Sequence, residues 1–313
     1  RKNSIPKDRN TLLFDELSCD EYIPHGRPLS MRENDIFFPM GSLEQFNKLS
    51  GGREKENIPC CICGGQPVPY ALDYNGNTIG QCPQCRLRFV SPRPHFSTLL
   101  EHVYDDKYYV EDGPNTEALK DCEYYLDRVQ ALKSPPGLLF DVGASAGFLL
   151  ETAAKRGWDI EGIDIQAEQV EYLRKKLSCP IHLGLIENLA IENRYDLLTL
   201  IHVLEHTLNP AAFLLKCKAL IKPGGIVYAV FPNTASLNDR IKSNMSRLHL
   251  KSRKWKHFAA DHHLWFFTVP TIEALAAKID FPILSLKTIY PRKKIKNPLA
   301  APLLHGLEKA GMG

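Results

Sequence analysis

Two cysteine pairs, Cys60-Cys61-Ile62-Cys63 and Cys82-Pro83-Gln84-Cys85, stand 18 residues apart. Cysteines two residues apart sit on tight knuckles, and two such knuckles can set four thiolates tetrahedrally around one zinc ion. Cys60, Cys63, Cys82 and Cys85 are therefore candidate metal ligands, and Cys61, inside the first knuckle, would point away. Four thiolates close the coordination shell, so this zinc would be structural and would not activate water. A redox role needs only one pair. The nine cysteines are an odd count, and all but these pairs are scattered, which fits metal binding in a reducing compartment better than a disulfide framework.

A second constellation is Asp141-Val142-Gly143-Ala144-Ser145-Ala146-Gly147, followed by Asp164, 21 residues after Gly143. Glycines let a backbone turn sharply and approach a ligand closely, and an acid at that distance grips a ribose diol. By itself the loop fits a nicotinamide dinucleotide or S-adenosylmethionine. Asp141 inside the loop would repel a pyrophosphate and attract an ammonium group. Ser145, in place of the middle glycine, would hinder a pyrophosphate further. Both favour S-adenosylmethionine.

Such residues need a rigid frame, and the rest of the 313-residue chain supplies one. With 44% hydrophobic and 24% charged residues it buries a sizeable core, which excludes global disorder. A net charge of +3 is too small to argue for a nucleic-acid-coating protein. No apolar run reaches the ~18 residues of a membrane-spanning helix, and no leader-like start is seen, so a cytoplasmic protein is expected. The first residue is Arg1 rather than Met, which suggests a trimmed chain.

From Leu138 onward, strand and helix alternate. Strands are expected at 138–142, 159–163, 181–183, 196–201, 226–231 and 283–289. Helices are expected at 148–156, 167–177, 210–220 and 271–278. Strands joined by crossover helices make a doubly wound, mostly parallel sheet, the Rossmann-like α/β class. Four regions follow: an N-terminal arm (1–56), the zinc ribbon (57–95), a helical connector (96–135) and the α/β domain (136–313). The arm's apolar clusters, Leu12-Leu13-Phe14 and Ile36-Phe37-Phe38, fit a segment lying on another surface, and a flexible tail is the alternative expectation.

The loop, Asp164, Tyr195-Asp196-Leu197-Leu198, His202-Val203-Leu204-Glu205-His206 and Leu220-Ile221-Lys222-Pro223-Gly224-Gly225 occur in that order. Together they resemble class I S-adenosylmethionine-dependent methyltransferases, in the branch with ubiquinone-type O-methyltransferases and deoxysugar methyltransferases. Cys82–Cys85, Phe89, Pro92-Arg93-Pro94 and Tyr108-Tyr109 resemble the zinc-ribbon leader of bacterial sugar, polysaccharide and secondary-metabolite methyltransferases. The resemblance implies that Asp141, Gly143, Ala144, Ser145 and Gly147 line the methionine part of the cofactor. Asp164, with Ile165 beside it, would bind the ribose, Leu185 and Ile186 would flank adenine, and His202 would sit near the sulfonium. It also implies a final antiparallel strand inserted into the sheet edge. After a helix expected near 299–309 the chain ends too early for one, so the native protein is expected to continue.

Methyl transfer is an in-line displacement, to which positioning contributes ~7–11 kcal/mol. A general base adds roughly 10²–10⁴-fold for oxygen or carbon acceptors. His262 and His263, in Asp261-His262-His263-Leu264, resemble a segment bordering the acceptor pocket of that branch, and His206 is the third candidate base. A purely structural role is the alternative for the pair, and for His206 a backbone hydrogen bond that fixes the loop after the fourth strand. Seven basic residues and no acid lie within 240–257. A solvated face explains such a run, and so does recognition of a small anionic acceptor such as a nucleotide-linked sugar. RNA as acceptor is the rival partner, and a non-catalytic binding protein is the rival class.

Overall fold

The computed structural model describes residues 10–18, 55–95, 98–99 and 116–289. Its centre is a seven-stranded sheet. The strands are β1 (Thr11–Ser18), β7 (Leu138–Val142), β8 (Asp159–Asp164), β9 (Ile181–Leu183), β10 (Tyr195–Ile201), β11 (Ile221–Asn233) and β13 (Ile283–Ile289). Their spatial order is β13-β1-β11-β10-β7-β8-β9, and every neighbouring pair is parallel. Helices α1 (Thr116–Gln130), α2 (Phe148–Lys155), α3 (Ala167–Leu177), α4 (Pro210–Leu220), α5 (Leu237–Arg247) and α6 (Val269–Lys278) accompany it. The doubly wound parallel sheet read from the alternating pattern is present.

Alternate residues of each strand feed two cores, as the two-residue period of a strand requires. Phe140, Val142, Leu198, Leu200, Val227, Ala229 and Phe231 join one apolar cluster. Leu139, Leu197, Ile226, Tyr228 and Val230 join the other. Both faces are covered, which is why these strands read as continuous apolar runs.

β1 follows the same rule, with Leu12 and Phe14 in the first cluster and Leu13 in the second. All three are fully buried. Here the structure departs from the arm inferred from sequence. Thr11–Ser18 lies inside the sheet, parallel to β11 on one side and β13 on the other. It takes the position between those strands where the family resemblance implies an antiparallel strand from the chain's end. A buried acid fixes it there. Asp15 accepts two 2.9 Å bonds from Arg128 of α1 and a 2.7 Å bond from the Tyr228 hydroxyl of β11. Asp15 is fully buried, and the Arg128 guanidinium is held charged by it. The rest of residues 1–56, apart from Asn10 and the short strand β2 (Lys55–Glu56), and the helix expected at 299–309 lie outside the described residues.

The ribbon contributes β3 (Val68–Leu72), β4 (Thr78–Gln81) and β5 (Arg88–Val90), an antiparallel meander. A fourth strand, β12 (Trp265–Phe266), completes it in the order β12-β5-β4-β3 and comes from far along the chain, within the α/β domain. β2 and β6 (Arg93–Pro94) pair beneath it. Cys60, Cys82, Leu87, Phe89 and Val90 belong to the same apolar cluster as Phe231 and Phe267. The ribbon is therefore packed into the main core. A segment this small rarely builds a core alone.

Candidate functional site

The chain winds from β7 outward through β8 and β9, then returns to β10 beside β7. Ligands of open α/β sheets bind outside the carboxyl ends of the strands at such a reversal. The loop after β7 and the turn after β10 meet there. Gly143 has φ +72, and a Cβ on it would lie 2.9 Å from Val203 of that turn. Gly147, with φ +78, caps α2, and a Cβ there would strike Leu173 at 2.4 Å. These two glycines let the loop turn and pack closely.

Ser145 and His202 are non-glycine residues held at positive φ, +47 and +55. Backbone strain of this kind concentrates at functional sites. Asp164, at the end of β8, receives the backbone N–H groups of Ser145 at 3.0 Å and Gln166 at 3.1 Å. Burial raises its pKa and those backbone bonds oppose the rise. Asp141 is fully enclosed, and one of its oxygens accepts the Thr199 hydroxyl at 2.6 Å from the adjacent strand. Burial pushes Asp141 up to about 7. Leu185 is half-buried beside the loop, whereas Ile186 is turned into the apolar core.

The four paired cysteines converge. The sulfurs of Cys60 and Cys85 are 3.4 Å apart and those of Cys63 and Cys82 are 3.2 Å apart. All four lie within 4.8 Å of one another. Tetrahedral Zn–S bonds of about 2.3 Å place sulfurs about 3.8 Å apart, so the donor set fits a zinc ion. Each knuckle closes through a left-handed residue, Gly64 at φ +74 and Arg86 at φ +68.

The turn after β10 and the loop 259–264 carry a knot of imidazoles. The rings of His206 and His262 stack at 5.6 Å, with His263 edge-on to both, at 4.9 and 4.5 Å. The turn carrying His206 and the loop carrying His262 and His263 are laced by two bonds. Leu264 N–H donates to the Glu205 carbonyl at 2.8 Å, and His206 Nδ1 meets the His262 carbonyl at 2.9 Å. Burial holds all three imidazoles neutral near pH 7, with His262 down to about 3 and His263 well below its usual range.

The loop bearing His262 and His263 is braced by the ribbon hairpin. Asp261 accepts from the side chains of Asn75 and Asn77, with contacts of 2.8–2.9 Å. The Tyr74 N–H bonds the Lys254 carbonyl. Trp255, Trp265, Phe266 and Phe267 are buried, so they serve the core.

A protein-family profile described as a methyltransferase domain matches residues 116–286, more than half of the chain. The chain belongs to the methyltransferase domain family. The chain also matches ubiquinone biosynthesis O-methyltransferases. The one from Vibrio parahaemolyticus is 35% identical over 127 residues, covering 38% of this chain and 51% of the relative. The one from Colwellia psychrerythraea is 33% identical over 112 residues, covering 34% and 44%. This chain thus spans about half the length of the curated relatives it matches. A solved SAM-dependent methyltransferase from Thermotoga maritima overlaps 52% of this chain and 70% of its own at 15% identity, with a TM-score of 0.40.

Of the candidate residues in the methyltransferase domain, the structure brings Gly143, Ser145 and Asp164 together at one loop. His202 adjoins them through Val203. His206, His262 and His263 form one cluster. Two further residues escaped the sequence reading. Glu205 is almost fully buried with His202 Nδ1 at 3.3 Å, and its only sequence signal is the His-x-x-Glu-His spacing. Arg88 is largely buried between Tyr70 and Phe258, and its guanidinium donates to the Tyr70 hydroxyl and the Thr234 carbonyl. Nothing in the local sequence separates it from an ordinary surface arginine.

Proposed function

We propose that this protein transfers the methyl group of S-adenosylmethionine to a small anionic acceptor, at an oxygen or another nucleophilic atom. The observation that carries this reading is the meeting, at the sheet's reversal, of a strained glycine loop, a buried acid and a cluster of neutral histidines. In this reading the loop 143–147 receives the methionine part and Asp164 the ribose hydroxyls. The cofactor, when bound, supplies an electrophilic methyl on a sulfonium. The chain's residues orient the acceptor in line with it and take up its proton at the histidine cluster, with His262, His263 and His206 as the candidate bases.

Support for an anionic acceptor comes from Arg88 and Arg247, which both donate to the Tyr70 hydroxyl beside the segment rich in Lys and Arg. Arginine presents fixed forks that suit carboxylates and phosphates. An oxygen acceptor accords with the ubiquinone biosynthesis O-methyltransferases that the domain matches. A structural zinc on the four cysteines would brace the ribbon, and clustered free thiols of this kind suit a reducing, cytoplasmic setting. No described helix is long and apolar enough to cross a membrane.

Calorimetric titration of the full chain with S-adenosylhomocysteine tests the reading. Binding at micromolar concentration or tighter is expected, with at least a tenfold loss in Asp164→Ala. Absence of binding to the unaltered protein would sink it.

A further inference from the structure

The turn Leu204–His206 and the loop 259–264 bring together three donors from two stretches that are well separated in sequence. One ligand atom each from Glu205, His206 and His263 lies within 4.8 Å of the others. His206 Nε2 is 4.0 Å from Glu205 Oε1. Donors on a tetrahedral metal with bonds of about 2.0–2.2 Å stand about 3.4 Å apart, so the His206–Glu205 pair need close by only about half an ångström to hold one.

The ring tautomers are already arranged for ligation. A metal-binding imidazole gives one N–H to a backbone carbonyl and turns its other nitrogen to the ion. His206 Nδ1 is bonded to the His262 carbonyl. His263 is bonded to the backbone of Phe258, while its Nε2 is buried without a partner.

Glu205 carries the second, independent sign. The residue is 1% exposed, and its Oε2 is buried with no hydrogen bond. A carboxylate oxygen stripped of water and left unpaired is strongly unfavourable. Among the described residues no lysine or arginine is paired with it, and the nearest ring nitrogens, of His202 and His206, lie at 3.3 and 4.0 Å. A dication at this point would satisfy Oε2, His263 Nε2 and the Glu205 charge together.

We propose that Glu205, His206 and His263 bind a divalent transition metal such as zinc, and that its open coordination position takes an oxygen of the methyl acceptor. The first half stands on the donor geometry, and the second rests on the methyl-transfer reading above. Two histidines and a carboxylate leave at least one position free, the pattern of catalytic rather than structural zinc. Imidazole donors favour zinc, iron or nickel over magnesium. The acceptor hydroxyl binds through its oxygen, and its proton passes to His262, whose Nε2 has no other partner. The oxygen's electron pair then bonds the methyl carbon, and the carbon–sulfur pair remains on sulfur. A bound dication lowers the pKa of an attached hydroxyl.

Cobalt loading of the full chain distinguishes this centre from the tetracysteine site. The expected result is two equivalents of cobalt. One shows intense sulfur-to-metal charge transfer and the other shows only weak ligand-field bands. His263→Gln and, separately, Glu205→Gln should lose the second while keeping the thiolate signal and S-adenosylhomocysteine binding, which also report that the variants are folded. A single, thiolate-bound equivalent in the unaltered protein overturns the proposal, and so does a second equivalent that survives both substitutions. The calorimetry fails or succeeds separately. Two cobalt ions without S-adenosylhomocysteine binding would keep the metal centre and remove the methyl-transfer reading.

Discussion

The two sides of the site are built differently. The side proposed for the cofactor is local: the loop 141–147 and Asp164 lie on consecutive β–α units, and their geometry follows from one strand-turn-helix pattern. The side proposed for the acceptor is a composite. Its ribbon hairpin, its turn after β10 and its loop 259–264 are drawn from three distant stretches and held by bonds such as Asp261 to Asn75 and Asn77. A site built locally tolerates damage elsewhere, whereas a composite site depends on every brace. The two sides should therefore come apart under the right perturbation.

Removing the zinc proposed for the four cysteines is the largest such perturbation. Structural zinc contributes ~10–16 kcal/mol in small zinc modules, far more than the apolar contacts of a ribbon this size. Losing it should free β5, and with it β12 and the adjoining histidine loop, because β12 pairs with β5. Chelation, or Cys82→Ser, is expected to reduce methyl transfer at least a hundredfold while S-adenosylhomocysteine binding changes less than about fivefold. Equal losses of both would show that the two sides are one unit.

Asp15→Ala attacks the frame that both sides share. Removing one member of a buried ion pair strands the other, at about 3–5 kcal/mol, and the lower end fits here because the Arg128 side chain is 19% exposed. Urea unfolding should show a destabilisation of about 3 kcal/mol, with cofactor binding and turnover declining together. A change below about 1 kcal/mol would mean that β1 is not needed where it sits.

Sequence and structure agree most closely where information is local. The strands from Leu138 to Ile289, the glycine loop and the cysteine knuckles were legible because apolar runs, glycines and paired thiols report on their own neighbourhoods. Thr11–Ser18 was not legible as a sheet strand. Its Thr-Leu-Leu-Phe-Asp-Glu run is short, and the residues that make a buried Asp15 tolerable, Arg128 and Tyr228, are more than a hundred positions away. β12, Arg88 and the orphaned oxygen of Glu205 were hidden for the same reason. Each acquires its meaning from a partner that only the fold brings near.

The smallest effect concerns pH, and its sign should differ between the two sides. Burial lowers His257 on the acceptor side to about 3. Its unfolded value is about 6.5, so its contribution is complete above that pH and is lost progressively as pH falls toward 3. Asp141 on the cofactor side runs the other way. Its folded value is about 7 against about 3.9 unfolded, so its contribution is full below pH 4 and is lost as pH rises through 7. Between pH 6.5 and 5, protonation pressure at His257 weakens the acceptor side by at most about 2 kcal/mol, less whatever its partial exposure returns. Amide exchange protection around 243–263 should therefore fall on acidification from pH 7 to 5 while the segment 139–164 gains or holds. His257→Gln should flatten the first trend, and Asp141→Asn the second. Parallel trends in both segments would mean that the sides open together, and the division of the site into a local and a composite half would not survive.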